Sequence, residues 1–162
     1  EDPDGRFDYI LITPFRATLS AAAQAGKLGL ISVDYEIVDY PSARLQSQNS
    51  EYSFKTENDA IENVFRTSGN LKIGTEWRIN QFMVRGGFGY FGNPLKDDFE
   101  EKLNFNTYSL GAGYRIESFY IDLAYNLTKK SGQLYLYDPA LVNKTDTQNN
   151  IHRVTTTVGF RF

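Results

Sequence analysis

The chain closes on Ile151-His-Arg-Val-Thr-Thr-Thr-Val-Gly-Phe-Arg-Phe162, and alternate residues of this stretch belong to two different surfaces. One is His152, Val154, Thr156, Val158, Phe160 and Phe162; the other is Ile151, Arg153, Thr155, Thr157, Gly159 and Arg161. Successive side chains of a strand point to opposite sides, so the segment presents an apolar outside and a cationic, hydroxyl-rich inside. Phe162 places an aromatic ring at the end of the strand, where a membrane interface favours one. The stretch therefore reads as a strand of an outer-membrane β-barrel.

Composition agrees. In 162 residues there are 11 Tyr and 12 Phe against one Met and one Trp, a balance that suits strands with interfacial rings better than helices. With no Cys, a disulfide framework, a thiolate metal site and a Cys nucleophile are all excluded. The net charge of −3, without a cluster of Lys and Arg, offers nucleic acid no general attraction. No run approaches the ~18 consecutive apolar residues of a membrane helix. The mean hydropathy of −0.44 does not argue against a barrel, because only alternate residues of each strand meet lipid. The opening Glu1-Asp2-Pro3-Asp4-Gly5 carries no signal peptide, which reads as a processed or truncated product.

Working back from the terminal strand, the period of two recurs in segments near the ~9 to 11 residues of a tilted membrane strand. Phe7 to Ala23 turns Phe7, Tyr9, Leu11, Phe15, Ala17 and Leu19 outward and Arg16 and Thr18 inward, with Pro14 marking a kink or a missing ladder bond. Leu28 to Tyr40 places Ile31, Val33, Tyr35 and Ile37 against Ser32, Asp34 and Glu36. Asn70 to Ile79 separates Leu71, Ile73, Thr75 and Trp77 from Lys72, Gly74, Glu76 and Arg78. Phe82 to Phe91 sends Met83, Arg85, Gly87 and Gly89 inward. Phe105 to Ile116 and Phe119 to about Thr128 keep Thr107, Ser109, Arg115, Asp122 and Asn126 inside, and the latter strand is expected to continue to Tyr137.

Connection lengths alternate independently of the side-chain pattern. Gln24 to Lys27, Asn80-Gln81 and Glu117-Ser118 are tight turns, whereas Pro41 to Gly69, Gly92 to Asn104 and Asp138 to Asn150 are long and polar. Short periplasmic turns and long external loops are the habit of outer-membrane barrels. An internal echo supports the register: Gly74-Thr-Glu-Trp-Arg78-Ile-Asn-Gln-Phe82 parallels Gly111-Ala-Gly-Tyr-Arg115-Ile-Glu-Ser-Phe119. Within the first long loop, Glu57 to Phe65 is compatible with a helical turn or two. The expectation is an all-β chain: residues 1–162 as one antiparallel transmembrane β-barrel segment of a Gram-negative outer membrane, with no separate soluble domain. Seven strands are odd, whereas single-chain bacterial barrels are even, so either a strand is hidden in Pro41 to Gly69 or the chain is part of a longer barrel.

An ordered series of short motifs resembles the FadL/TodX group of outer-membrane transporters for long-chain fatty acids and other hydrophobic compounds. It comprises Thr13-Pro14-Phe15-Arg16, Gly29-Leu-Ile-Ser-Val-Asp34-Tyr35-Glu36 with Asp39-Tyr40, and Gly74-Thr-Glu76-Trp77-Arg78. Arg85-Gly86-Gly87, Gly113-Tyr114-Arg115, Asp122-Leu-Ala-Tyr125 and Gly159-Phe160-Arg161-Phe162 complete it. The resemblance covers nearly the whole chain and implies the C-terminal half of a barrel of about fourteen strands, with a plug and seven strands outside this sequence. It implies transport of hydrophobic small molecules, membrane lipid as surroundings, and the missing N-terminal half as a partner. It assigns no substrate-binding residue.

The expected interior charges are Arg16, Asp34, Glu36, Lys72, Glu76, Arg78, Arg85, Arg115, Asp122, Arg153 and Arg161. They read either as an ion-pair network filling the lumen or as a polar wall steering a substrate. The rival function is a structural or partner-binding barrel acting through its long loops on other outer-membrane proteins. Catalysis has little support: His152, the sole histidine, falls on the lipid face, away from any Ser and carboxylate. Gly87-Phe-Gly89-Tyr-Phe-Gly92 matches a dinucleotide fingerprint but lies inside a strand pattern with no helix after it. Asp97-Asp98 with Glu100-Glu101 reads as a solvated acidic loop before it reads as a calcium site. No catalytic, metal or cofactor residue is assigned.

Overall fold

In the computed structural model, which describes residues 9–48, 52–97, 103–134 and 145–160, the chain is built from antiparallel strands. Seven form one sheet in chain order: β2 (Phe15–Ala25), β3 (Gly29–Asp39), β5 (Thr67–Ile79), β6 (Phe82–Phe91), β7 (Phe105–Arg115), β8 (Phe119–Leu134) and β9 (Thr145–Phe160). A separate two-stranded sheet pairs β1 (Tyr9–Ile12) with β4 (Arg44–Ser47). The helix α1 (Lys55–Val64) follows β4.

Local chemistry explains the turns. Gly26 takes φ +64° between β2 and β3, and Asn80 takes φ +55° in the Asn80-Gln81 hairpin, left-handed positions that Gly and Asn tolerate best. At the other end of the strands, the connections run through residues 40–66, 92–104 and 135–144. The alternation of short turns with long loops is therefore as the sequence predicts. Phe160 ends opposite Phe119, so β9 finishes at the end of the sheet that carries the short turns.

Parts of the chain depart from the sequence reading. The segment expected to run from Phe7 to Ala23 is broken at Thr13-Pro14, and Tyr9 and Leu11 leave the large sheet to pair with Ser47 and Leu45. Proline has no backbone donor for the ladder, and the next strand begins at Phe15, whose N–H donates to the Ser42 hydroxyl at 2.7 Å. A strand does lie within Pro41 to Gly69, but β4 adds nothing to the seven-stranded sheet. Finally, Thr145 to Asn150, read as loop, is strand: Leu134 to Lys129 pair with Thr145 to Asn150, carrying the β8–β9 hairpin beyond its neighbours. Phe7, Tyr135 to Tyr137, the Asp98-Glu100-Glu101 part of the acidic loop, Arg161 and Phe162 lie outside the described residues.

α1 is longer than the expected helical turns and is fastened to β4 by one side chain. Asn58 donates to the Leu45 carbonyl at 3.0 Å and accepts from the Leu45 N–H at 2.8 Å, replacing a ladder partner that β4 lacks on that side. Arg66 N–H to Pro94 O (2.8 Å) and Lys96 N–H to Val64 O (3.0 Å) then tie the end of this excursion to the β6–β7 loop. Leu95, 7% exposed, and the stacked rings of Tyr40 and Phe65 pack at the same end.

Register converts the period of two into two faces. One carries Leu19, Val33, Tyr35, Ile73, Trp77, Phe82, Val84, Leu110, Leu123, Val154 and Phe160, all well exposed. Leu19 reaches 76% and Phe160 67%, far from the burial that a soluble core gives such residues. The opposite face holds the charges, hydroxyls and amides. β2 and β9 are the edges of the sheet, and six successive antiparallel steps make them point the same way.

Candidate functional site: the polar face of the sheet

Every expected interior charge within the described residues falls on the polar face, but the structure joins only some of them. Near the short turns a continuous chain of bonds runs from β5 to β8. Arg78 Nε donates to Glu76 Oε1 at 2.7 Å, Arg85 Nε donates to Glu76 Oε2 at 2.7 Å, and Arg85 Nη1 reaches Asp122 Oδ1 at 2.6 Å. Glu76 faces Arg85 directly across β5 and β6, whereas Asp122 stands on β8, on the far side of β7.

Glycine makes the longer bridge possible. Between Arg85 and Asp122 the polar face of β7 presents Gly111 and Gly113. A Cβ at Gly113 would collide with the Asp122 carboxylate and lie 3.1 Å from Met83 Cε; one at Gly111 would lie 3.4 Å from Arg85 Cβ. The guanidinium passes over β7 because no side chain stands there. Glu76 and Asp122 are 21% and 19% exposed as side chains and Arg85 36%, so water screens these bonds only in part. Charge-assisted hydrogen bonds contribute roughly 1.5–3 kcal/mol each where water is excluded and less where it screens them.

A second cluster sits nearer the long loops. Arg16 Nη1 lies 3.5 Å from Glu36 Oε1, and Asn70 Nδ2 donates to Glu36 Oε2 at 2.7 Å, with Asn70 Oδ1 accepting from Gly92 N–H at 3.2 Å. Asn70 is buried at 7%, so its amide is satisfied on both sides, as burial requires. On the opposite face, Thr67 Oγ1 donates to Asp39 Oδ1 at 2.8 Å, outside this cluster.

The remaining members are differently placed. Asp34 and Lys72 are direct register partners, yet among the described residues they form no ion pair; Lys72 Nζ instead stands 5.7 Å from the centre of the Phe91 ring. Arg115 lies over Tyr120 at 5.1 Å, and Arg153, opposite Asn126 on the edge strand, makes no ion pair among the described residues. Among the described residues the expected interior charges thus form two clusters, with Asp34, Lys72, Arg115 and Arg153 outside them.

Between the clusters runs a row of small side chains. Register aligns Ala22, Ser32, Gly74, Gly87 and Ser109 across successive strands from β2 to β7, and Asn126 continues the row with its Oδ1 accepting from Ser109 Oγ at 2.7 Å. A shallow cavity of ≈ 180 Å³ opens over Gly87, Ser109 and Gly111 beside Arg85 and Asp122. The period of two turns Gly87 inward, but the row it joins depends on cross-strand register, which parity along one strand does not supply. Gly87-Phe-Gly89-Tyr-Phe-Gly92 lies in β6 and the residue after it, and among the described residues the next element is the strand β7.

On the other face His152 lies opposite Leu127 and its Nδ1 is 2.7 Å from Tyr125 Oη. The imidazole therefore has a phenol neighbour rather than the Ser and carboxylate of a hydrolytic triad. Among the described residues, no helix is long and apolar enough to cross a membrane. No family model, curated protein or solved structure matches the chain.

Proposed function

We propose that the seven-stranded sheet is part of an outer-membrane β-barrel that lets hydrophobic small molecules, long-chain fatty acids or similar compounds, cross the outer membrane of a Gram-negative cell. The observation that carries this reading is the segregation of the two faces over all seven strands. An exposed apolar face of this extent is disfavoured in water and is what lipid accommodates. The polar face then lines a lumen in which Arg16, Glu36, Glu76, Arg85 and Asp122 are held in ion pairs that offset their desolvation.

An edge left open in lipid strands backbone groups at a cost of several kcal/mol each. β2 and β9 point the same way, so pairing them directly would be parallel. Antiparallel closure takes an odd number of further strands, in line with a first half of the barrel completing it. The row of small side chains leaves room at mid-height, and the ion-pair clusters on either side of it keep the lumen from being a wide aqueous pore.

A second reading is favoured by one feature: β1, which precedes the large sheet, pairs with β4 of the β3–β5 connection, and with α1 they build a structured layer in which Tyr9, Ile10, Leu11 and Ile12 are all exposed. That layer suits a barrel that engages other outer-membrane proteins. The test is uptake of a labelled long-chain fatty acid by cells with and without the full protein, together with single-channel conductance in planar bilayers. Faster uptake with small or no conductance is expected. A large open-channel current, or unchanged uptake of hydrophobic probes, would remove the transport reading.

A further inference from the structure

On the apolar face, at the end of the sheet that carries the long loops, the side chains form a groove with a cationic head. Tyr35, Leu71 and Tyr90 are register partners on β3, β5 and β6, so two phenol rings flank an aliphatic floor. Toward the loops the floor passes from Leu71 to Gly69, and Tyr35 leans into the space left there: a Cβ at Gly69 would lie 2.6 Å from Tyr35 Oη. The same open cavity, ≈ 450 Å³, is bounded at its head by Arg66 and Asn93.

The head is a cation held in place but only half used. Arg66 donates through Nε to Asn93 O at 3.1 Å, which fixes the plane of the guanidinium at the rim of the groove. Its Nη1 pairs with Asp97 Oδ1 at 2.8 Å, and its Nη2 makes no bond among the described residues. Asp97 is 87% exposed, and an ion pair of that kind contributes little and yields readily to a competing anion. The groove thus joins a fixed guanidinium, with a donor to spare, to a slot of apolar and aromatic walls.

We infer that this groove binds a phosphate-headed amphiphile of the surrounding bilayer, its head on the Arg66 guanidinium and its chain lying over Leu71 between Tyr35 and Tyr90. The guanidinium fork matches phosphate oxygens, and the two rings sit at the end of the sheet where aromatic residues meet the head-group region. Polar head and apolar slot occur in the order and spacing that a single amphiphile presents. The site rests on the proposed membrane orientation in one respect, that the apolar face meets lipid. It makes no use of what the lumen carries.

The experiment titrates the full protein in dodecyl maltoside micelles, which contain no phosphate, with dodecyl phosphate, and counts retained adducts by native mass spectrometry. Dodecanol and inorganic phosphate are the two controls. The expected result is one saturable dodecyl phosphate per chain, weakened about tenfold by Arg66→Gln. Gly69→Val, which drives the Tyr35 ring into the slot without touching Arg66, is expected to weaken it comparably. Circular dichroism checks that each variant is folded, and Tyr90→Ala replaces either one that is not. Equal retention of inorganic phosphate would make the site one for a free ion and overturn the amphiphile; equal retention of dodecanol would overturn the role of the head. Binding untouched by both variants, or absent, would overturn the site. Failure of the membrane orientation is read separately, from whether Trp77 of the lipid-reconstituted protein is reached by lipid-borne quenchers.

Discussion

The Asp122 carboxylate lies over the backbone of Gly113, its direct register partner, in the space a side chain at that position would fill. Its other neighbour is the Arg85 guanidinium at 2.6 Å, which reaches it across the same bare strand. Gly113→Val would therefore do two things, crowding a face that has no room and pushing Asp122 away from Arg85. Overpacking costs typically ~1–3 kcal/mol, and the lost charge-assisted bond adds to it. A destabilisation of about 2–4 kcal/mol is expected in urea unfolding from micelles. Gly86→Ala is the control, because its Cβ would meet only Thr75 Cγ2 at an ordinary 3.6 Å; an equal loss there would mean that any added side chain disturbs β6 and β7.

Two arginines of the polar face are predicted to differ sharply. Arg85 holds two carboxylates on different strands, so Arg85→Gln leaves Glu76 with only the more exposed Arg78 and Asp122 with no cation within bonding distance among the described residues. Partial exposure discounts the effect, and a loss of about 1–3 kcal/mol is expected in the same unfolding measurement. Arg153→Gln removes a cation on the edge strand that makes no described ion pair and should stay within about 0.5 kcal/mol. Comparable losses at both sites would show that net positive charge on this face, rather than pairing, stabilises it.

This contrast marks how far the sequence could be read. Side-chain parity is local, so the faces of Arg85, Asp122 and Arg153 follow from counting along each strand, and β6 has the same bounds in sequence and structure. The strands of the large sheet were legible for the same reason, and the alternation of short turns with long loops was legible from the lengths of the connections. Which charges meet is not local: it depends on register from β5 to β8 and on what does not stand between them, here Gly111 and Gly113. The break at Pro14 was signalled by the missing donor, yet the new partner of Tyr9–Ile12 was Arg44–Ser47, far along the chain in a segment of weak alternation. The continuation of β8 past Thr128 was legible in Leu134-Tyr135-Leu136-Tyr137, but its partner was hidden, because Thr145 to Asn150, ending in Asn149 and Asn150, read as loop composition.

The loop layer offers a titration that is independent of the sheet. Tyr52 Oη donates to Glu57 Oε1 at 2.7 Å, and this hydrogen bond, with the nearby negative charge, holds the phenol above its ordinary pKa of 10.0. Because the folded pKa is raised, the contribution of this contact is fully present below the unfolded value and is lost as pH rises through the folded one. With ring-labelled tyrosine, the Tyr52 carbon signal should titrate later than that of a solvent-exposed tyrosine. Glu57→Gln should bring it back; a Tyr52 midpoint indifferent to that substitution would mean that the bond does not persist in solution.

Trp77 reports on the apolar face more directly than any other side chain, since it is the sole tryptophan and lies over Gly29, where a Cβ would come within 2.8 Å of its ring. It stands near the end of β5 that enters the Asn80-Gln81 turn and is 43% exposed on the face opposite Arg78. A ring half-exposed to water would emit at long wavelength and be quenched by acrylamide. One whose exposed edge meets acyl chains near an interface would emit further to the blue and be quenched by brominated lipids, most by those brominated at shallow positions. The second pattern is expected for the full protein in vesicles. Gly29→Val should shift the emission by forcing the ring off the strand, while leaving bromolipid quenching in place. Efficient acrylamide quenching with no effect of brominated lipid would place the apolar face of the sheet in water or against protein, and would remove the support on which the membrane reading stands.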